Sequence, residues 1–259
     1  MLRNFCSTIT TWTLAYLFFT TLTFSVEINE NKKKVISDEI SDVLSQLETI
    51  LVKKVSSKVY CKILIFSGER KPLGKEFIIY QKNGNILMIA NKPESDKGKK
   101  ILMVKDGLWQ YFPKAKKTIV INSAMLIGGN ASFTDVISST LYTFYNYDNY
   151  EFDKISKTHI ITFKAKNRKS AYGKVRYFLK NNLIIFFEAY ARSGILLKKI
   201  DFIKYETTES NQFYPVYMKI TNALQNNDYT LIQMESFSEI EIPDYYFSSS
   251  SLENQQRYE

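Results

Sequence analysis

A chain of 259 residues with a 45% hydrophobic share is long enough for one large domain with a sizeable core, and length alone does not argue for two. Aromatics reach 15% of the residues while Gly and Pro number only 9 and 5, a balance that favours strands because aromatic side chains suit a pleated, half-buried surface. The net charge of +9 comes mostly from scattered lysines, with no arginine-rich helix or recognition motif; this sets nucleic acid aside and leaves a solvated basic face or attraction to an anionic membrane surface.

The N-terminus begins with Arg3 and runs into an apolar, threonine-diluted stretch that is densest from Trp12 to Phe19. Thr23 and Ser25 are small residues at the −3 and −1 positions of a cleavage site after Ser25. Residues 1–25 therefore read as a secretory signal peptide, with a mature chain beginning near Val26. The rival reading is an uncleaved anchor, since residues 5–24 are just long enough to span a bilayer. Cys6 lies too early for a lipidated cysteine. Removal of the signal leaves Cys61 alone, so no internal disulfide forms, and within "VYCKILIF" it reads as a small buried hydrophobe.

Residues 26–36 are polar and are expected to be flexible. In "ISDEISDVLSQLETILVKK" the apolar residues Ile36, Ile40, Val43, Leu44, Leu47, Ile50 and Leu51 fall on one face of a helix. Ser37 supplies an N-cap, acids crowd the first turn, and Lys53 and Lys54 close the last.

From Lys58 the pattern changes to short strands: "KVYCKILIF", "KEFIIYQ", "NILMIANK", "KILMVK", "LWQYFP" and "KTIVIN". Asn83-Gly84 and Asp106-Gly107 have the chemistry of tight hairpin turns, so these strands form an antiparallel meander. In its fifth strand Trp109 and Tyr111 share one face, and Leu108, Gln110 and Phe112 the other. An apolar loop follows, with a Gly128-Gly129 break. Ser132 then N-caps a short helix, with Asp135 at the N3 position of a capping box. "YNYDNYEFDK" leads into a second run: "THIITFKAK", "GKVRYFLKN", "LIIFFEAYAR", "LLKKIDFIKYE", "YPVYMKITN" and "YTLIQMESFSEIEI". The reading gives eleven or twelve strands, no linker of domain-boundary character, and a frayed terminus over 254–259.

Catalytic chemistry is thin. Histidine occurs once, at His159 inside a strand, so serine triads and the usual zinc ligand sets are not available. "GERKPLGKE" has five residues between its glycines where a phosphate loop has four, and Glu76 stands where Ser or Thr is required. No pair of carboxylates is singled out. The expectation is a non-enzyme with no cofactor and no metal.

At "SDKGKKILMVKDGLWQYFPKAKKTIVIN" the chain resembles the outer-membrane lipoprotein-sorting, LolA-like family, through Gly98, Leu102, Leu108, Trp109, Tyr111, Phe112, Pro113 and Ile119. Ser132, Phe133 and Asp135, then Tyr147 and Asp148, match the way that branch continues, and "IPDYYFSSSSLE" is similar to its close. The resemblance covers residues 37–253, which are taken as a single domain. It implies a mainly β, α+β fold: an unclosed antiparallel half-barrel of about eleven strands with helices plugging its concave face. It also implies a monomeric periplasmic carrier that binds acyl chains of lipoproteins or other lipids and moves them towards the outer membrane, with an inner-membrane exporter as donor. The alternative on the same fold is a non-enzymatic regulator that senses lipid or lipoprotein. Cavity-wall candidates, chosen by strand face, are Phe77, Ile79, Met88, Trp109 and Tyr111; the lid or plug helix would present Ile40, Leu44, Leu47 and Leu51. The family's sorter holds its lid with an arginine, and Arg70, the nearest here, falls in an expected turn.

Overall fold

The computed structural model describes residues 38–51, 55–105, 107–137, 141–225 and 228–253. The signal segment, the polar stretch 26–36, Ser37, Lys53, Lys54, Asp106 and the last six residues lie outside these. The chain divides into two compact units, Met1–Ser45 and Gln46–Glu259. Helix α1 is described over 38–51. In the first unit Val43 is buried and Ile40 and Leu44 are half-buried, while Ser41, Asp42 and Ser45 are exposed. In the second unit Leu47, Ile50 and Leu51 are buried and Glu48 and Thr49 exposed, the same helical spacing continued. No helix among the described residues is long and apolar enough to cross a membrane.

The second unit is built on two meanders. The first comprises β1 (Ser57–Ser67), β2 (Leu73–Lys82), β3 (Asn85–Lys92), β4 (Lys100–Val104), β5 (Gly107–Phe112) and β6 (Lys117–Val120). A two-stranded piece follows, β7 (Leu126–Gly128) and β8 (Ala131–Ser132), then the single-turn helices α2 (Phe133–Val136) and α3 (Leu141–Phe144). The second meander comprises β9 (Tyr145–Asp153), β10 (Thr158–Ala165), β11 (Lys174–Lys180), β12 (Leu183–Tyr190), β13 (Leu196–Thr207), β14 (Phe213–Asn222) and β15 (Asp228–Glu239). β1 pairs antiparallel with β15, which joins the meanders, among the described residues, into one sheet of thirteen strands ending at β6 and β9. The two end strands do not pair, so the sheet is unclosed.

The strand count corrects the sequence reading upward. β9 escaped it because that strand is exposed along most of its length and its aromatic alternation, Tyr145 and Tyr147 then Tyr150 and Phe152, slips by one residue at a bulge around Asp148. β7 and β8 escaped it because three and two residues are too few to show a period. The hairpin signal at Asn83-Gly84 is met, with φ of 51° and 78° at the two turn residues. So is the helix start at Ser132, whose backbone N–H donates to Asp135 Oδ2 at 2.7 Å.

Register fixes two faces. Ile161, Tyr177, Phe187, Ile200, Ile220, Thr230 and Ile65 lie opposite one another in successive strands and so share a face. In the first meander Phe77 and Ala90 continue that face, as do Ile79, Met88, Ile101 and Gln110. We call it the cavity face. An aromatic row crosses it: Phe163 meets Tyr177 edge-on at 6.1 Å, and Tyr177 meets Phe187 at 5.2 Å. On the back face of β2–β5, Tyr80, Leu87, Leu102 and Tyr111 pack against Ile242, Phe247 and Leu252 of the C-terminal segment. Lysines tie that segment at both ends: Lys82 donates to the Ile242 carbonyl at 2.8 Å and Lys100 to the Leu252 carbonyl at 2.9 Å.

Candidate functional site

On the cavity face, the alternation of β2, β3, β4 and β5 brings Phe77, Met88, Ala90, Ile101 and Gln110 into one floor. The segment Met125, Leu126 and Ile127 forms the roof, and Lys75, Asp96 and Lys99 form the rim of a cavity of about 190 Å³. The roof residue Leu126 is 61% exposed, so the apolar lining continues to the solvent edge. At the rim, Lys75 Nζ stands 2.9 Å from Asp96 Oδ2 and Lys99 Nζ 2.5 Å from Oδ1. Hydrogen bonds from Lys99 and Lys75 hold the Asp96 carboxyl below the usual carboxylate range.

The roof is anchored by a buried charge cluster. Asp135, 4% exposed, accepts from Lys198 Nζ at 2.8 Å and from Tyr172 Oη at 2.6 Å. Lys198 also donates to the Asn130 carbonyl at 2.6 Å, and Tyr172 Oη is 3.0 Å from Ser132 Oγ. Burial, reinforced by the Asp135 charge, keeps the Tyr172 phenol protonated well above the ordinary tyrosine range. Lys198 lies on β13, so the cluster ties the β7–β8–α2 segment to the far half of the sheet. Gly129 lets that segment approach closely: at φ 53° its position would set a Cβ 2.5 Å from Thr230 Oγ1.

A second hollow, of about 260 Å³, lies between Leu108, Val120 and Ile121 on one side and Phe144 and Lys169 on the other, next to the open end of the sheet. None of the sequence candidates lines it. A void of about 40 Å³ lies beside Leu51, Val59, Ile137, Met218 and Phe237. It places Leu51 of α1 against the cavity face of β1, β14 and β15.

The expected wall residues separate into two groups. Phe77 and Met88 come together in the cavity floor. Ile79 is on the same face, directly opposite Met88, but packs into the core without bordering the cavity. Trp109 and Tyr111 are on the other side of the sheet, in the cluster under the C-terminal segment. Their assignment to the same wall is corrected by register: Ile101, opposite Met88, is itself opposite Gln110, which turns Trp109 and Tyr111 away. Of the helix residues, Leu47 and Leu51 are buried at 0% and 2%, whereas Ile40 and Leu44 belong to the other unit. Arg70 is exposed in the β1–β2 turn.

Sequence reasoning found Asp135 as a capping residue but missed the rim and the buried partners of Asp135, Lys198 and Tyr172. Lys75, Asp96 and Lys99 read as ordinary turn-flanking charges, and Lys198 as one of a lysine pair. The alternation of β13 separates Lys198, buried on the cavity face, from Lys199, which packs over Phe186 at 4.2 Å on the back. Cys61 is 2% exposed, and burial pushes its thiol up to about 12. His159 Nδ1 lies 2.9 Å from Tyr150 Oη. Among the described residues no group of three or more His, Cys, Asp or Glu stands ready to hold a metal.

A family profile described as "Uncharacterized protein" matches residues 82–254. No curated protein matches the chain. Among solved structures, a LolA superfamily protein from Nitrosomonas europaea superposes with a TM-score of 0.71 at 18% identity, covering 82% of this chain and 98% of its own. A putative outer membrane lipoprotein-sorting protein domain from Vibrio parahaemolyticus gives 0.66 at 16%, over 82% and 97%. A DUF1329 family protein from Desulfovibrio piger gives 0.67 at 17%, over 82% and 96%. At these identities the likeness establishes the fold.

Proposed function

This chain belongs to the family whose profile spans residues 82–254, and from its LolA-superfamily fold we propose that it is a periplasmic carrier of acyl chains, taking lipoproteins or other lipids towards the outer membrane. The observation that carries the reading is a cavity with an apolar floor, Phe77, Met88, Ala90 and Ile101, beneath a charged rim. Each methylene withdrawn from water contributes about 0.8 kcal/mol, so about six of them at the chain's end would supply roughly 5 kcal/mol, the equivalent of sub-millimolar affinity before any headgroup contact. No catalytic step is needed. The same term slows release, which makes a moving helix or a more hydrophobic acceptor the trigger. The protein would act as a monomer, without a cofactor, and receive cargo from an inner-membrane exporter.

A solvatochromic fatty-acid probe should bind and be displaced by long-chain lipids. Met88→Trp fills floor volume without removing a polar group. It should weaken long-chain displacers about tenfold, the loss of roughly two methylenes of burial, and short ones less. Delipidated protein that keeps its circular dichroism spectrum yet takes up no acyl probe would end the carrier reading.

The approach to membranes is assigned to the β5–β6 turn. Lys114, Lys116 and Lys117 are exposed there, and Ile119 and Val120 of the end strand are 39% and 76% exposed. Lysines near an anionic surface contribute about 1 kcal/mol each. Protein should therefore sediment with vesicles of phosphatidylethanolamine and phosphatidylglycerol at low salt and be released at high salt. Reversing the three charges to Glu should abolish sedimentation. Equal sedimentation of the variant would take the contact away from this turn, and a wild-type protein that does not sediment would remove the membrane from the list of partners.

A further inference from the structure

We propose that the cavity takes a single-chain amphiphile with an anionic headgroup, the chain lying on Phe77, Met88 and Ile101 and the headgroup at Lys75 and Lys99. The proposal rests on the acyl-carrier reading and specifies its cargo. Two observations carry it, one of size and one of charge.

The size is about 190 Å³. Pockets for drug-sized ligands run from about 300 to 1,000 Å³, while an engineered apolar cavity of about 150 Å³ accepts benzene. This cavity therefore receives the end of one chain and has no room for several side by side. Its roof is a two-stranded piece rather than part of the main sheet, and one apolar residue of that roof, Leu126, stands at the solvent edge, where the rest of a chain would leave the slot.

The charge is at the rim. Two ammonium groups share one carboxylate, which leaves the Lys75–Asp96–Lys99 group with one net positive charge. Asp96 is the only acid lining the cavity among the described residues. The neighbouring acid, Glu76, is on the other face of β2 by alternation and pairs with Lys92 at 2.9 Å. Each lysine has three donors and uses one on Asp96, so both keep donors for a second anion. Gln110 lines the same cavity and its side-chain amide makes no hydrogen bond to another described residue, so it can donate to a headgroup or ester oxygen. A cationic headgroup would meet like charge here, and a neutral one would gain nothing from the lysines. A carboxylate and a phosphate satisfy the rim equally in kind: a free fatty acid offers the first, a lysophospholipid or phosphorylated lipid the second.

The test measures displacement of a bound fluorescent acyl probe by dodecanoate, dodecyl phosphate, dodecanol and dodecyltrimethylammonium, all below micelle formation. Both anions should displace about tenfold more strongly than dodecanol, with the ammonium weakest, and added salt should narrow the gap. The stronger of the two anions identifies the source. In Lys75→Gln/Lys99→Gln, with folding checked by circular dichroism, the ratio of dodecanoate to dodecanol affinity should fall to about one. A ratio near one in the wild-type protein, or an unchanged ratio in the double variant, overturns the headgroup assignment and leaves the acyl reading standing. Failure of all four compounds, with the probe itself unbound to folded protein, overturns both.

Discussion

Asp135→Ala is expected to cost about 3–5 kcal/mol of stability, seen as a lower urea midpoint with an unchanged slope. Asp135 is 4% exposed and accepts from Lys198, Tyr172 and its own helix start at Ser132. Its removal leaves the Lys198 ammonium with the Asn130 carbonyl and the Tyr172 ring, 5.4 Å away, and no counter-charge. An exposed pair such as Lys204 with Glu206 should give about 0–1 kcal/mol on the same treatment. The loss belongs to an uncompensated buried charge and not to the pair as such. Asp135→Leu/Lys198→Met should therefore recover most of it. The double variant separates two roles. If the cluster only stabilises, the recovered protein binds acyl probe as the wild type does. If it also sets the roof, stability returns while probe affinity stays low, because Asn130 and Ser132 have lost their tie to β13. A single variant as stable as the wild type and with wild-type probe affinity would show that the cluster does neither.

Much of the architecture could be read from local signals. Asn83-Gly84, alternating β-branched residues and the Ser132–Asp135 pair each fix a few residues at once. The closing contact could not. Ser57 pairs with Glu239 across most of the chain, and no local pattern encodes a pairing at that separation. The site shows the same division. That Trp109 and Tyr111 share a face follows from period two. Which face it is depends on registers passed from β2 through β3 and β4, and any bulge on the way inverts the answer. The β2–β3 register does shift, between Glu76 and Phe77. The closing segment, with Ile242, Tyr246, Phe247 and Leu252, enters the sequence reading only as the end of the fold. That they cover the back of β2–β5, and so claim Trp109 for packing, is set by contacts between segments far apart in sequence, which no local pattern encodes. Lys198 was invisible for another reason: a buried lysine differs from its exposed neighbour only in what it faces.

The other large effect is expected at Leu47→Asp. Leu47 is 0% exposed in the last turns of α1, a stretch that ends beside Val59, Met218 and Phe237 on the cavity face. Losing a fully buried leucine side chain costs about 3–5 kcal/mol before any charge is considered, and an unpaired carboxylate adds its desolvation. Burial raises that carboxyl's pKa above its unfolded value of about 3.9. The sign follows: the unfolded state ionises first, so the penalty grows as pH rises through the carboxylate range and shrinks in acid. The stability gap between variant and wild type should thus be smaller at about pH 4 than at about pH 8. Glu48→Ala, one residue along on the exposed side, should stay within about 0.5 kcal/mol at both. Two results are compatible with a helix that covers the cavity face: global destabilisation, or a folded sheet whose helix has detached and whose acyl-probe exchange is faster. Probe kinetics decide between them, because a detached helix speeds both uptake and release while unfolding abolishes uptake. A Leu47→Asp protein with wild-type stability at both pH values and wild-type exchange would remove the helix from the release mechanism and leave the β7–β8 roof as the moving part.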